Sequence, residues 1–311
     1  MPDALIICAR NQEVAEIAQT IRDAGGQKQV IQGGKPNGFS YVQYQLVSKH
    51  GSNFSLAIAN CGDMGNVYSA VRTAAFINEF AARLYIFCGI AGSLEPSKAR
   101  LGDVIIPTKV HHYRQDKVYD NAPDQMPDIL TKSSFECFEM MSDRHVRFRQ
   151  ATASVKPVNE ALQLLTDLEF QKCSEELETI ELEVCELDNL GIEELRSHRP
   201  CQLIREEDLF SWEMVFNSAL YREKLKDKNA LGSSVAVDME SFGFLLSISE
   251  LREYGGMPAV GLVVRGISDY VGYKAQCDSF QSEAYRHLAL RNAARVAIKL
   301  AQVYDYDSLQ G

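Results

Sequence analysis

Short apolar runs recur along the chain with helix-length intervals between most of them, and this alternation is what most restricts the fold. "ALIIC" (4–8), "FSLAIAN" (54–60), "LYIFCG" (84–89), "DVIIP" (103–107), "SSVAVDME" (233–240) and "AVGLVVRGISD" (259–269) have strand length and are rich in β-branched or bulky residues. Elsewhere the apolar period changes to three or four. Val14, Ile17, Ala18 and Ile21 give it within 12–24, and 67–80 reads as a second helix. Ala284, Leu288, Ala294, Ala297, Ile298 and Ala301 give it from Phe280 to Gln302. Such strands, alternating with helices, predict an α/β domain whose central mixed sheet is flanked by helices. Ligands of such sheets bind beyond the carboxyl ends of the strands, which is where this chain carries its glycines and acids.

The middle of the chain reads differently. From 113 to 200 strand signals are weak, and a helical enlargement is expected there. Residues 169–195 hold ten acids and one lysine, while Cys173, Leu177, Ile180, Val184 and Leu187 recur every three or four positions. That is the pattern of an amphipathic helix with an acidic outer face. It serves as a cap on the domain or as an oligomer contact. No internal repeat stands out.

Composition removes several classes of function. With 46% hydrophobic residues, the 311-residue chain can bury a sizeable core. A formal charge of −10 without clustered Lys or Arg argues against binding nucleic acid through its phosphates. The eight cysteines are scattered without a CxxC, as expected of reduced core residues rather than disulfides or a zinc site. His111 and His112 follow a strand run, but no third ligand has recognisable metal spacing; they read as loop or interface residues. No apolar run reaches membrane-span length, and a soluble cytoplasmic protein is expected.

The residues suited to chemistry lie at strand ends. "CGDMGNVYSA" and "FCGIAGSL" are glycine turns after strands, able to bring backbone close to a ligand. Neither a dinucleotide GxGxxG after the first strand nor a P-loop is present, which disfavours dehydrogenases and NTPases. Glu13 follows the first strand, Glu240 ends "VAVDM", and Asp269 ends "GLVVRGIS". Each alone reads as a surface acid or a helix cap. Three together, placed on one edge of the sheet around glycine loops, read as a site.

"CGDMGNVYSAVRTAAFI", "LYIFCGIAGSLEPSKARLGDVIIPTKV", "VAVDMES" and "VVRGISDY" occur in the order found in the nucleoside phosphorylase/nucleosidase superfamily. The chain most resembles its methylthioadenosine/S-adenosylhomocysteine nucleosidase branch, and also the nucleosidase domains of immune-receptor-like proteins. The resemblance covers roughly 1–112 and 201–305. It implies a single phosphorylase-like domain over 1–311, enlarged by a helical segment at about 113–200. It also implies a homo-oligomer and a small-molecule purine nucleoside or nucleotide as substrate, with no cofactor and no metal.

By resemblance, Asp269 protonates N7 of the leaving purine and Glu13 activates the attacking water. Glu240 holds the ribose 2′- and 3′-hydroxyls, and Met239 packs on the sugar. Asp238 is then expected to face the other way along its strand. Gly89 and Ile90 form the loop below the sugar, where the family often has a small hydroxyl residue in place of Ile90. Val215 and Phe216 are base contacts by position. Trp212, in "SWE", stacks on the base or belongs to the core. The phosphate cradle of the family's phosphorylases is missing: the turn after the first strand is "ARNQE", and Phe87 stands where those enzymes carry arginine. Water is therefore the expected nucleophile. Arg10 stands apart as a cation for phosphate or for a substrate 5′-phosphate. A phosphorylase and a non-catalytic nucleotide sensor are the competing readings.

Overall fold

The computed structural model describes residues 1–29, 41–117, 147–153, 165–179, 199–223 except 214 and 221, 231–279 except 232, 254, 257 and 258, and 284–306. In chain order the elements are β1 (Ala4–Cys8), α1 (Asn11–Asp23), β2 (Gln27–Gln29), β3 (Tyr41–Val47), β4 (Asn53–Asn60), α2 (Asn66–Phe80), β5 (Leu84–Ser93), β6 (Val104–Ile105), β7 (Val110–Lys117) and β8 (Arg147–Ala153). There follow α3 (Asp167–Glu175), β9 (Leu203–Ile204), β10 (Asp208–Ser211), β11 (Ser234–Asp238), α4 (Ser241–Glu253), β12 (Val260–Tyr270), α5 (Lys274–Ser279) and α6 (Ala284–Val303).

The twelve strands among the described residues belong to one mixed sheet, with helices packed against it. The main path runs β2-β3-β4-β1-β5-β11-β10-β7-β8, with β12 joined to β5 and β6. β1 pairs parallel with β4 and β5, and β5 pairs parallel with β12. The five residues of β1 are wholly buried, as a strand covered on both faces demands. Burying one such aliphatic side chain contributes about 1.5–3 kcal/mol relative to leaving it in water. α6 packs along β12 and β5, and its Leu288, Ala293, Ala297 and Leu300 are buried.

β5 is the branch point of the sheet. Its first half lies between β1 and β12, and its last residues, Gly92 and Ser93, pair antiparallel with Val237 and Ala236 of β11. The carboxyl ends of β1, β5 and β12 therefore point one way, while β11 runs back against them. Glu13, Glu240 and Asp269, expected on one edge of the sheet, do line one pocket. They meet because an antiparallel strand delivers its carboxyl end onto the glycines of β5.

Of residues 113–200, where a helical enlargement is expected, 113–117, 147–153, 165–179 and 199–200 are described. Tyr113–Lys117 finish β7, Arg147–Ala153 form β8 antiparallel to it, and the acidic stripe gives one nine-residue helix, α3. Thr166 caps α3, accepting from the Glu169 N–H at 3.3 Å while Glu169 reaches back to the Thr166 N–H at 3.0 Å. Cys173 and Leu177 are buried; Ile180, Val184 and Leu187 lie outside the described residues. His111 and His112 are strand residues of β7 rather than loop residues. His111 Nε2 lies 2.8 Å from Asp208 Oδ2, and His112 stacks on Phe242. Among the described residues no helix is long and apolar enough to cross a membrane.

Candidate active site

A pocket opens where β1, β5, β11 and β12 converge. Glu13, Ile90, Val215, Phe216, Met239, Glu240 and Asp269 line it, together with Ala9, Arg10, Met64, Asp238, Arg265, Ser268, Lys274 and Arg286. Seven of the eight residues expected at the site from sequence are thus on its wall.

The eighth, Gly89, does not line the pocket, because a buried arginine passes over it. A Cβ placed on Gly89 would lie 2.1 Å from Arg265 Nη1 and 3.7 Å from Glu13 Oε1. The absence of a side chain at Gly89 is what admits the guanidinium. Arg265, only 1% exposed, lies over the Phe87 ring at 4.5 Å. Its Nη2 bonds Asp238 Oδ2 at 2.7 Å and Glu240 Oε2 at 3.3 Å, and its Nε donates to Ser241 Oγ at 3.2 Å. Sequence reading missed Arg265. The signal was an arginine inside the apolar run "GLVVRGIS", which must find acids when buried.

Asp238 does not face away from Glu240. Strand β11 ends at Asp238, the chain bends, and both carboxylates reach the same guanidinium. Asp238 also caps α4, accepting from the Ser241 N–H and hydroxyl. Glu240 Oε1 accepts from the Gly65 N–H at 3.4 Å, which ties Glu240 to the "CGDMGN" turn. Burial pushes the Glu240 carboxyl up to about 7; Arg265 opposes this, while Asp238 and Glu13 add to it. Physically, one guanidinium faces three carboxylates, so the cluster favours holding a proton.

Glu13 is fixed from behind. Its Oε2 accepts from the Ala9 and Arg10 N–H groups at 2.9 and 3.0 Å, the donors at the start of its own helix. Its Oε1 is the oxygen nearest Gly89. Glu13 is therefore both a cap and a pocket acid. Cys8, Cys61 and Cys88 lie beneath this corner. Burial raises all three thiols, Cys61 and Cys88 to about 12, so they pack as small apolar groups.

Asp269 is aimed by an irregularity in β12. Ile267 pairs with Ala91 and Asp269 with Gly92, so the register shifts between them. Such a bulge re-aims the following side chain; Ile267 stays in the core and Asp269 turns to the pocket. Ser268 Oγ donates to Asp269 Oδ2 at 2.8 Å, and Lys274 Nζ lies 3.2 Å from the same oxygen. Val215 and Phe216 form the adjoining wall. Trp212 does not line the pocket; it meets Phe216 edge-on at 5.8 Å and Phe210 at 6.0 Å, backing the wall from behind.

The phosphorylase superfamily model matches residues 3–184, more than half of the chain. The chain belongs to the phosphorylase superfamily. No curated protein matches it. Solved structures do, over nearly their whole length. The 5′-methylthioadenosine/S-adenosylhomocysteine nucleosidase of Neisseria meningitidis, in complex with methylthio-immucillin-A, is 15% identical, with a TM-score of 0.56 over 98% of this chain and 100% of that one. The futalosine hydrolase of Helicobacter pylori is 17% identical, with a TM-score of 0.52 over 96% of each chain. The MTA/SAH nucleosidase of Streptococcus pneumoniae is 16% identical, with a TM-score of 0.56 over 97% and 100%. At these identities the likeness is one of fold.

Proposed function

We propose that this phosphorylase-superfamily chain is an N-glycosidase that hydrolyses purine nucleosides or nucleotides to free base and ribosyl product. The observation that carries the reading is the meeting of Glu13, the Glu240–Arg265 pair and Asp269 in one pocket. Bond cleavage leaves positive charge on the sugar and negative charge on the departing purine. Glu240, as a carboxylate, accepts from the ribose 2′- and 3′-hydroxyls, with Met239 against the sugar. Glu13 takes the proton of a water held beneath C1′, and Arg265 steadies that water from Gly89's open side. Asp269 hands a proton to N7, and Lys274 places positive charge where the leaving base becomes electron-rich. Ile90, Val215 and Phe216 supply the apolar contacts.

The charge of the floor favours water over phosphate as nucleophile. Three carboxylates surround Arg265 there, and a phosphate dianion would meet repulsion under C1′. A binding-only sensor has no use for a proton donor aimed by a bulge. We also place a second copy of the chain on the outer face of α2, where Val67, Tyr68 and Val71 are exposed just beyond Met64 at the pocket lip. The kinetic test is Asp269→Asn against Glu13→Gln. Loss of a general acid or base typically costs ~10²–10⁴ in rate, so each should lower kcat far more than it raises KM. Near wild-type kcat in Asp269→Asn would overturn the assignment.

A further inference from the structure

Two arginines on the pocket wall, Arg10 and Arg286, have no role in the chemistry above. Arg10 immediately precedes α1, and Arg286 sits in the first turn of α6; both line the pocket. These two helices pack together, with Arg291 Nη1 3.2 Å and His287 Nδ1 3.7 Å from the two oxygens of Glu16. α1 begins just after the carboxyl end of β1, α6 follows β12 through α5, and Arg10 and Arg286 both line the pocket. Lys274 is tied to Asp269 at 3.2 Å and Asp278 at 3.4 Å.

The fixed points orient a bound nucleoside. Asp269 and Phe216 take the base, Glu240 takes the 2′- and 3′-hydroxyls, and Glu13 lies beneath C1′. C5′ must then leave toward the wall that remains, which is the wall of Arg10 and Arg286. A neutral 5′ group calls for apolar lining, whereas two guanidiniums match a phosphate, to which each can donate through paired N–H groups. We propose that the substrate is a nucleoside 5′-monophosphate, with Arg10 and Arg286 seating its phosphate. This rests on the nucleosidase reading and narrows it. The anionic floor and the cationic rim divide the work: water attacks where charge is negative, and the substrate's own phosphate anchors where it is positive. Hydrolysis then yields free purine and ribose 5-phosphate, the attacking water supplying the hydroxyl at C1′ and its remaining proton balancing the one delivered to N7.

The test compares AMP with adenosine and 5′-methylthioadenosine, and GMP with guanosine. It follows base release with and without orthophosphate, in wild type, Arg10→Met and Arg286→Leu. A hydrogen bond to a charged group is worth roughly 10- to 100-fold. The monophosphate should exceed its nucleoside by about 10²-fold or more in kcat/KM, and each variant should lower that ratio about 10- to 100-fold. The ratio cancels any general loss from imperfect folding. A nucleoside or methylthioadenosine cleaved as well as the monophosphate, or a ratio unmoved by either variant, overturns the phosphate seat while leaving the nucleosidase reading intact. Ribose 1-phosphate formed from a nucleoside and orthophosphate would instead assign the arginines to the nucleophile. If no base is released from any of the five, the nucleosidase reading fails. Calorimetric affinities of wild type for AMP and adenosine then decide the seat: a preference for AMP of about 10²-fold supports it, and equal affinities overturn it.

Discussion

Replacing Arg265 with Met should be the most damaging single change in the site, and the structure sets its size. The guanidinium is 1% exposed and bonds Asp238 at 2.7 Å and Glu240 at 3.3 Å, with Glu13 also within its field. Met keeps much of the volume and removes the charge. Breaking a buried pair by deleting one partner typically costs about 3–5 kcal/mol, because the carboxylates left behind are uncompensated. For a chain of this size that is a fall in Tm on the order of 10 °C. Thermal unfolding at pH 7.5 reads it directly. Raising acidity should narrow the gap between variant and wild type, since orphaned carboxylates recover stability when protonated. Adding Asp238→Asn to Arg265→Met should restore a substantial part of the loss. A Tm within about 2 °C of wild type, or no recovery in the double variant, would refute the view that Arg265 neutralises the pocket floor.

Other consequences are as direct. Gly89→Ala puts a Cβ 2.1 Å from Arg265 Nη1; overpacking of about 1–3 kcal/mol is expected, with a disproportionate loss of kcat/KM, and a neutral outcome in both melting and kinetics would contradict the contact. Glu240, raised to about 7 from 4.5, must lose its proton to accept two ribose hydroxyls, so kcat/KM should rise with pH through about 7. The same folded proton makes this group's contribution to stability fall as pH climbs from about 4.5 to about 7, by roughly 3 kcal/mol; Glu240→Gln should flatten both profiles, and unchanged profiles would show that another group titrates. Leu177→Asp should destabilise the fold by about 2–4 kcal/mol in denaturant melts, since Leu177 is buried, whereas Val71→Asp on the exposed face of α2 should leave melting of the monomer alone and lower the mass seen by light scattering.

What was legible in the sequence follows from how each element is buried. β1, β4, β5 and β12 are covered on both faces, so they read as apolar runs, and α1, α2 and α6 as stripes on that sheet. β3 was not read, although Tyr44 and Leu46 alternate with Gln43 and Gln45, because a half-buried strand beside β4 carries only every second apolar residue. β7 and β8 were missed for a stronger version of the same reason: "VHHYRQDK" and "RFRQATA" hold too few apolar residues to announce a strand. The site acids were legible because carboxylates at the ends of buried runs are costly unless used. Their geometry was not. An antiparallel β11, the bulge before Asp269 and the pairing of Arg265 with Asp238 and Glu240 are long-range arrangements; local pattern marks the buried arginine but not its partners. Lys274 and Arg286 lie outside any apolar run, and only the packing of α5 and α6 brings them to the pocket.

The central claim is hydrolysis at C1′ by water drawn from the Glu13–Arg265 corner. Incubating the enzyme with AMP and adenosine in phosphate-free, ¹⁸O-labelled water tests it most directly, with mass spectrometry of the sugar product. The account predicts purine release without phosphate, one ¹⁸O carried at C1 of the sugar, and loss of both signals in Glu13→Gln. Base release that requires added phosphate, with ribose 1-phosphate as the main sugar product, would contradict it.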